Sequence, residues 1–181
     1  MLTLVILALL AALVWRFGEI ESITATGTVQ VVDGDSLVLN GMRLRLQGID
    51  APELGQTCER EGKVFDCGRA ARAKLRELIG GGHVECSGWQ RDKYERLLSS
   101  CTSRTVELNR EMVLSGWAVA YGEFAAQEQA ARLAKRGLWQ GQFEQPQQWR
   151  RMRGALAEAP HDMWLTIMGL FAAMTGNWKG G

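Results

Sequence analysis

The 181 residues, 46% hydrophobic and 23% charged, fit one globular domain with appendages. A net charge of only +1 excludes a bulk basic field, so any affinity for nucleic acid has to come from a local arrangement of side chains.

Residues 2–15 carry no charge and are followed by Arg16. A stretch of this length is short for a membrane span and right for the apolar part of a signal segment. No good small-x-small cleavage site follows it. Residues 1–17 are therefore expected to be an export segment, either cleaved or kept as an anchor.

Thr28 to Val32 reads as a first strand with Val29 and Val31 on one face, and Leu37 and Leu39 continue the alternation in a second. Asn40-Gly41 between alternating apolar runs is a strong hairpin signal. In the third strand Leu44 and Leu46 face inward, which puts Arg43 and Arg45 on the opposite face. From about Gly68 the period becomes helical, with Ala71, Leu75, Leu78 and Ile79 on one side and Gly80, Gly81 and Gly82 as the stop. His83–Ser87 and Leu97–Thr102 read as a fourth and a fifth strand. Leu108, Met112 and Val113 mark a short helix ended by Gly116. Ala126, Ala130, Leu133 and Ala134 mark another, with Lys135 and Arg136 in its last turn and Gly137 beyond. This order predicts a mixed α+β, mainly β chain: a small five-stranded OB-like barrel with about three packed helices.

After Trp139 the chain turns Gln-rich and then basic at Trp149-Arg150-Arg151-Met152-Arg153. Residues 155–162 look like a linker and 163–171 are apolar again, as in a loose tail or a weak membrane-surface segment. The expected organisation is an export segment at 1–17, a barrel domain at 24–150 and a C-terminal tail at 151–181, able to associate with a membrane.

Cys58, Cys67, Cys86 and Cys101 show no Cys-x-x-Cys zinc spacing. Cys58 and Cys67 bracket one loop, and Cys86 and Cys101 lie on two neighbouring predicted strands. The expected pairs are Cys58–Cys67 and Cys86–Cys101, which require an oxidising compartment. Four buried thiols are the alternative.

The hairpin gathers carboxylates. Val31-Val32-Asp33-Gly34-Asp35-Ser36 precedes it, and Arg45-Leu46-Gln47-Gly48-Ile49-Asp50-Ala51-Pro52-Glu53 follows. Two monodentate carboxylates with a backbone carbonyl and waters suit Ca²⁺, with Asp35 and Asp50 the better-placed ligands. No His or thiolate lies nearby for Zn²⁺. Glu53, a short turn from Asp50, can reach a water and act as its general base. Asp33 is read as a turn residue or an indirect support. A planar guanidinium meets two phosphate oxygens at once, so Arg45 is a candidate phosphate ligand, with a second arginine available in Arg91-Asp92-Lys93-Tyr94-Glu95-Arg96.

Together, Val32-Asp33-Gly34-Asp35-Ser36, Arg45, Asp50-Ala51-Pro52-Glu53, Asp92-Lys93-Tyr94-Glu95-Arg96, Leu108-Asn109-x-x-Met112-Val113-x-x-Gly116-Trp117-Ala118 and Arg136-Gly137-Leu138-Trp139 resemble the thermonuclease (staphylococcal nuclease-like) family over about residues 25–150. The resemblance implies an OB-fold nuclease that uses Ca²⁺ to cleave DNA and RNA, leaving a 5′-hydroxyl and a 3′-phosphate. It makes Asp35 and Asp50 the calcium ligands with the Ala51 carbonyl, Glu53 the base for the attacking water, and Arg45 and Arg96 the phosphate-binding arginines. It also aligns Lys93 and Tyr94 with positions that contact a terminal phosphate, and Tyr121 with an aromatic that stacks on a base. The family pattern has Gly where this chain has Glu95, so a positive φ there would strain a Glu by about 1 kcal/mol.

The expected function is thus a Ca²⁺-dependent endonuclease of single-stranded DNA or RNA in the periplasm or outside the cell, with no protein partner implied. The rival is a non-catalytic nucleic-acid- or protein-binding barrel tethered at the membrane.

Overall fold

A computed structural model describes residues 6–7 and 22–153. The export or anchor segment at 1–17 (Ile6 and Leu7 apart) and the tail from residue 154 onward lie outside the described residues. Among the described residues no helix is long and apolar enough to cross a membrane.

The chain runs β1 (Ile23–Gly27), β2 (Val29–Val31), β3 (Ser36–Leu39), β4 (Met42–Leu46), β5 (Ile49–Asp50), β6 (Cys58–Arg60), β7 (Lys63–Phe65), α1 (Cys67–Ile79), β8 (Val84–Arg91), β9 (Leu97–Ser103), β10 (Val106–Glu107), α2 (Leu108–Leu114), β11 (Val119–Ala120), α3 (Ala125–Leu133), a 3-10 turn (Gly137–Gln140) and α4 (Pro146–Met152). The main sheet has the order β1-β8-β9-β4-β3-β2, with β10 added to β9. β1 and β2 stand at its two ends yet are separated only by Thr28, so the sheet curls back on itself into a half-barrel. β4 and β9 pair in parallel, Leu44 opposite Leu97, and the other main-sheet pairings are antiparallel. Within residues 22–153 this is the mainly β, OB-like fold expected, with seven strands in its main sheet rather than five and four helices rather than about three. The expected first strand at Thr28–Val32 is β2, and a further strand, β1, precedes it and pairs at the other end of the sheet.

The hairpin forms where the turn signal lies. Asn40 and Gly41 have φ of 51° and 80°, the left-handed pair that a tight two-residue turn requires. Leu37, Leu39, Leu44, Leu46 and Ile49 enter the core with Ala71, Leu75 and Ile79 of α1. Gly80 ends α1 in the left-handed conformation, its N–H donating to the Arg76 carbonyl. Buried Asn109 fastens α2 to the barrel: its Nδ2 donates to the Gln47 and Ser99 carbonyls, and its Oδ1 accepts from the Cys101 N–H.

Both expected disulfides are formed. Cys86–Cys101 links directly opposed residues of β8 and β9. Cys58–Cys67 closes β6–β7, a small hairpin where sequence alone shows only a cysteine-bracketed loop. The pair points to an oxidising compartment.

Candidate active site

Asp33, Gly34 and Asp35 form the tight link between β2 and β3. The Asp33 Oδ1 accepts from the Asp35 N–H at 3.0 Å, an Asx-type turn that leaves the Asp35 carboxylate facing inward. Asp35, Arg45 and Asp50 are all exposed by 3% or less. Arg45 ties the two carboxylates together, Nη1 to Asp35 Oδ1 at 3.0 Å and Nη2 to Asp50 Oδ1 at 2.8 Å. Asp35 also accepts from the Ser36 hydroxyl at 3.0 Å and from the Ala51 N–H at 2.9 Å.

These surroundings divide the acids. Burial opposes ionisation of Asp35, but the Arg45 charge, the Ala51 N–H and Arg96 outweigh it and hold its carboxyl below the usual value. Burial pushes Asp50 up to about 6, against Arg45 and with the Asp35 charge adding to the rise. Asp33 is pushed up to about 7, by burial first and then by the neighbouring Asp35.

Glu53 sits in a turn built around fully buried Gln56. The Gln56 Oε1 accepts from the Glu53 N–H at 3.2 Å, its own N–H donates to the Glu53 carbonyl at 2.7 Å, and its carbonyl accepts from the Gly68 N–H at 3.2 Å. Gly68, at the start of α1, lies so close that a Cβ there would overlap the Glu53 carbonyl.

The second arginine comes from the β8–β9 turn. The Asp92 Oδ1 accepts from the N–H groups of Tyr94 and Arg96, each at 2.9 Å, and its Oδ2 holds the Arg96 guanidinium at 2.6 and 2.7 Å. These hydrogen bonds from Arg96 and Tyr94 outweigh the burial that opposes the Asp92 charge, and its carboxyl lies below its usual value. Glu95 does have positive φ, 61°. The turn nonetheless brings Arg96 to the site, with its Nη1 3.3 Å from the Ser36 hydroxyl.

A cleft of about 250 Å³ opens over this arrangement, lined by Arg43, Arg45, Glu53, Tyr94, Arg96 and Arg150. Of the site residues read from sequence, Arg45, Glu53, Tyr94 and Arg96 line it, and Asp35 and Asp50 lie beneath Arg45. Lys93 is exposed beside the Tyr94 ring, its Nζ 5.0 Å from the centroid. Tyr121 lies outside the lining; its hydroxyl accepts from Gln147 of α4 at 3.3 Å.

Arg150 is the residue that the sequence reading missed. It comes from α4, which extends two residues past the expected domain end at 150. Its Nη1 lies 2.9 Å from Asp50 Oδ1 and 2.8 Å from Glu53 Oε1, and its Nη2 lies 3.1 Å from Asp50 Oδ2. The segment before α4 is anchored on the disulfide-closed hairpin. Glu59 and Gln142 exchange backbone hydrogen bonds of 2.8 Å each, and Gln56 Nε2 donates to the Glu144 carbonyl at 2.8 Å. The basic run at 149–153 was the available signal, but nothing in its spacing shows where it docks.

Among the described residues, no three His, Cys, Asp or Glu side chains converge as a ready metal cage. The donor chemistry still suits a hard divalent cation. Asp35 and Asp50 are all-oxygen donors bridged by one guanidinium, and Asp50 is held up to about 6 by burial and by Asp35, so added positive charge would favour its ionised form.

A curled OB-like sheet bearing paired acids under a guanidinium-lined cleft defines the class. The family model described as staphylococcal nuclease homologue matches residues 43–141. The chain belongs to that family, and by that membership it is a nuclease. Its relatives include a succinoglycan biosynthesis protein of Rhizobium meliloti, 30% identical and aligned over 76% of each chain. An uncharacterised endonuclease of Escherichia coli O157:H7 is 32% identical over 61% of this chain and 74% of its own. A probable staphylococcal-like nuclease of Oryza sativa is 32% identical over 65% of this chain but only 31% of its own length.

Proposed function

We propose that this nuclease is a Ca²⁺-dependent phosphodiesterase that cuts DNA or RNA outside the cytoplasm, with residues 24–150 and the end of α4 as its catalytic unit. The observation that carries the reading is the cleft. It sets four arginines and one carboxylate, Glu53, above two buried aspartates. The guanidinium groups line the opening while Asp35, Asp50 and Asp92, which pair with three of them, lie outside the lining, so a phosphodiester would meet donors rather than those carboxylates.

In this reading Glu53 takes a proton from the attacking water. Arg45 and Arg96 meet the non-bridging oxygens on which charge develops, Arg45 fixed from below by two carboxylates and Arg96 by Asp92. Asp35, Asp50 and the Ala51 carbonyl would hold the ion, which would supply further stabilisation of charge on the phosphoryl oxygens. Tyr94 in the lining, with Lys93 exposed beside its ring, would receive a terminal phosphate, and Tyr121 supports the site through α4. The two disulfides favour a periplasmic or secreted location, with residues 1–17 as the export segment or anchor and the chain beyond α4 as the tail.

Digestion of single-stranded DNA tests this directly. Wild type is expected to cut with Ca²⁺ and not with EDTA, and Glu53→Gln to lose about 10²–10⁴ in rate while remaining folded. Folded wild type that binds but never cuts would favour the tethered binding module instead.

A further inference from the structure

Arg150 holds both oxygens of Asp50 in a two-pronged contact, and the same Nη1 reaches Glu53. A divalent ion at Asp50 needs the same oxygen lone pairs and carries the same sign of charge, so ion and guanidinium exclude each other there. Two arginines touch Asp50, and they are not equally able to leave. Arg45 stands on a central strand with its side chain 3% exposed and a second carboxylate on its other nitrogen. Arg150 stands on the seven-residue α4, with its side chain 12% exposed and facing the cleft.

The cleft offers Arg150 a second partner. Arg43, Arg45 and Arg96 also line it, so a phosphate group would find a basic pocket, and a guanidinium exchanges a carboxylate for a phosphate with its paired geometry intact. We propose that Arg150 is a further substrate-binding arginine that rests on Asp50 and Glu53 until a divalent ion takes Asp50, then turns to the substrate phosphate. Ion and phosphate then assist each other's binding, by an equal factor in each direction. The same movement releases Glu53 for its water. This inference rests on the Ca²⁺-dependent reading above.

Calorimetric titration of Ca²⁺ tests it, alone and with saturating thymidine 5′-monophosphate, which has a phosphate and no scissile diester. Wild type is expected to bind Ca²⁺ at least about fivefold more tightly with the nucleotide present. Arg150→Gln is expected to bind Ca²⁺ alone about tenfold more tightly than wild type and to gain less than about twofold from the nucleotide. Arg150→Lys, which keeps the charge but cannot take both Asp50 oxygens, should fall between them and guards against a folding defect in the Gln variant. Arg151→Gln removes the same charge from an exposed neighbour and should match wild type. If wild type binds Ca²⁺ and neither Arg150 variant changes that affinity or its coupling to nucleotide, Arg150 does not act this way and the nuclease reading stands. If wild type binds no Ca²⁺, both fall together.

Discussion

Arg45 and Arg150 grip the same carboxylate from supports of opposite kinds. Arg45 rises from a central strand, beneath a cleft and above a core of leucines, and its partners come from the β2–β3 link (Asp35) and the short strand β5 (Asp50). Arg150 arrives from the last described helix, which is joined to the barrel through the β6–β7 hairpin, Gln56 and its own side chain. The barrel holds one half of the site as a by-product of folding. The other half depends on peripheral contacts that the core does not enforce. Ionic groups of the first kind are hard to remove, and those of the second are suited to move.

The sharpest way to break this contrast is Arg45→Met. It leaves two buried carboxylates without their shared cation and should cost about 3–5 kcal/mol in metal-free protein, against less than roughly half of that for Arg150→Gln. Denaturant melts in EDTA check this; equal losses would erase the distinction. Gly68→Ala comes next. It forces the Glu53 turn away from α1 and should cost about 1–3 kcal/mol, and cleavage should fall more than with an alanine elsewhere on that helix. Glu95→Gly should stabilise by about 1 kcal/mol through relief of the positive φ. Because Asp92 already fixes Arg96, activity should change by less than about twofold.

The smallest effect concerns pH. Asp33 rises from 3.8 to about 7 on folding, and Asp50 to about 6, so between about pH 4 and 7 the folded metal-free protein binds more protons than the unfolded chain. Their contribution to stability is therefore full below the unfolded value and is lost as pH rises through that window. Asp35, lowered on folding, acts in the opposite direction; its contribution is lost as pH falls through its folded value. Asp33→Asn keeps the acceptor for the Asp35 N–H and removes one ionisation. The fall in melting temperature from pH 5 to 8 in EDTA should shrink, and an unchanged slope would contradict the assignment.

The barrel-borne half was legible in the sequence because its signals are local. Asn40-Gly41 sets the hairpin register, strict alternation puts Arg45 opposite Leu44 and Leu46, and the hairpin brings Asp35 to Asp50. The peripheral half was not. Pro146–Met152 has no apolar period, and its docking depends on the Glu59–Gln142 bridge between segments more than eighty residues apart, which leaves no trace in spacing. The Gly68 contact is equally silent, because a glycine in the first turn of a helix reads as a cap or a turn until the backbone behind it is seen.

The central claim is that Asp35 and Asp50 serve an ion while Glu53 serves the water. The Ca²⁺ concentration for half-maximal cutting of single-stranded DNA, measured with the maximal rate, separates the two roles. Asp35→Asn should raise that concentration at least about tenfold if the carboxylate holds the ion. Glu53→Gln should lower the maximal rate by about 10²–10⁴ while the protein still binds Ca²⁺. Cutting that persists in EDTA, or a maximal rate that Glu53→Gln leaves untouched, would contradict the account.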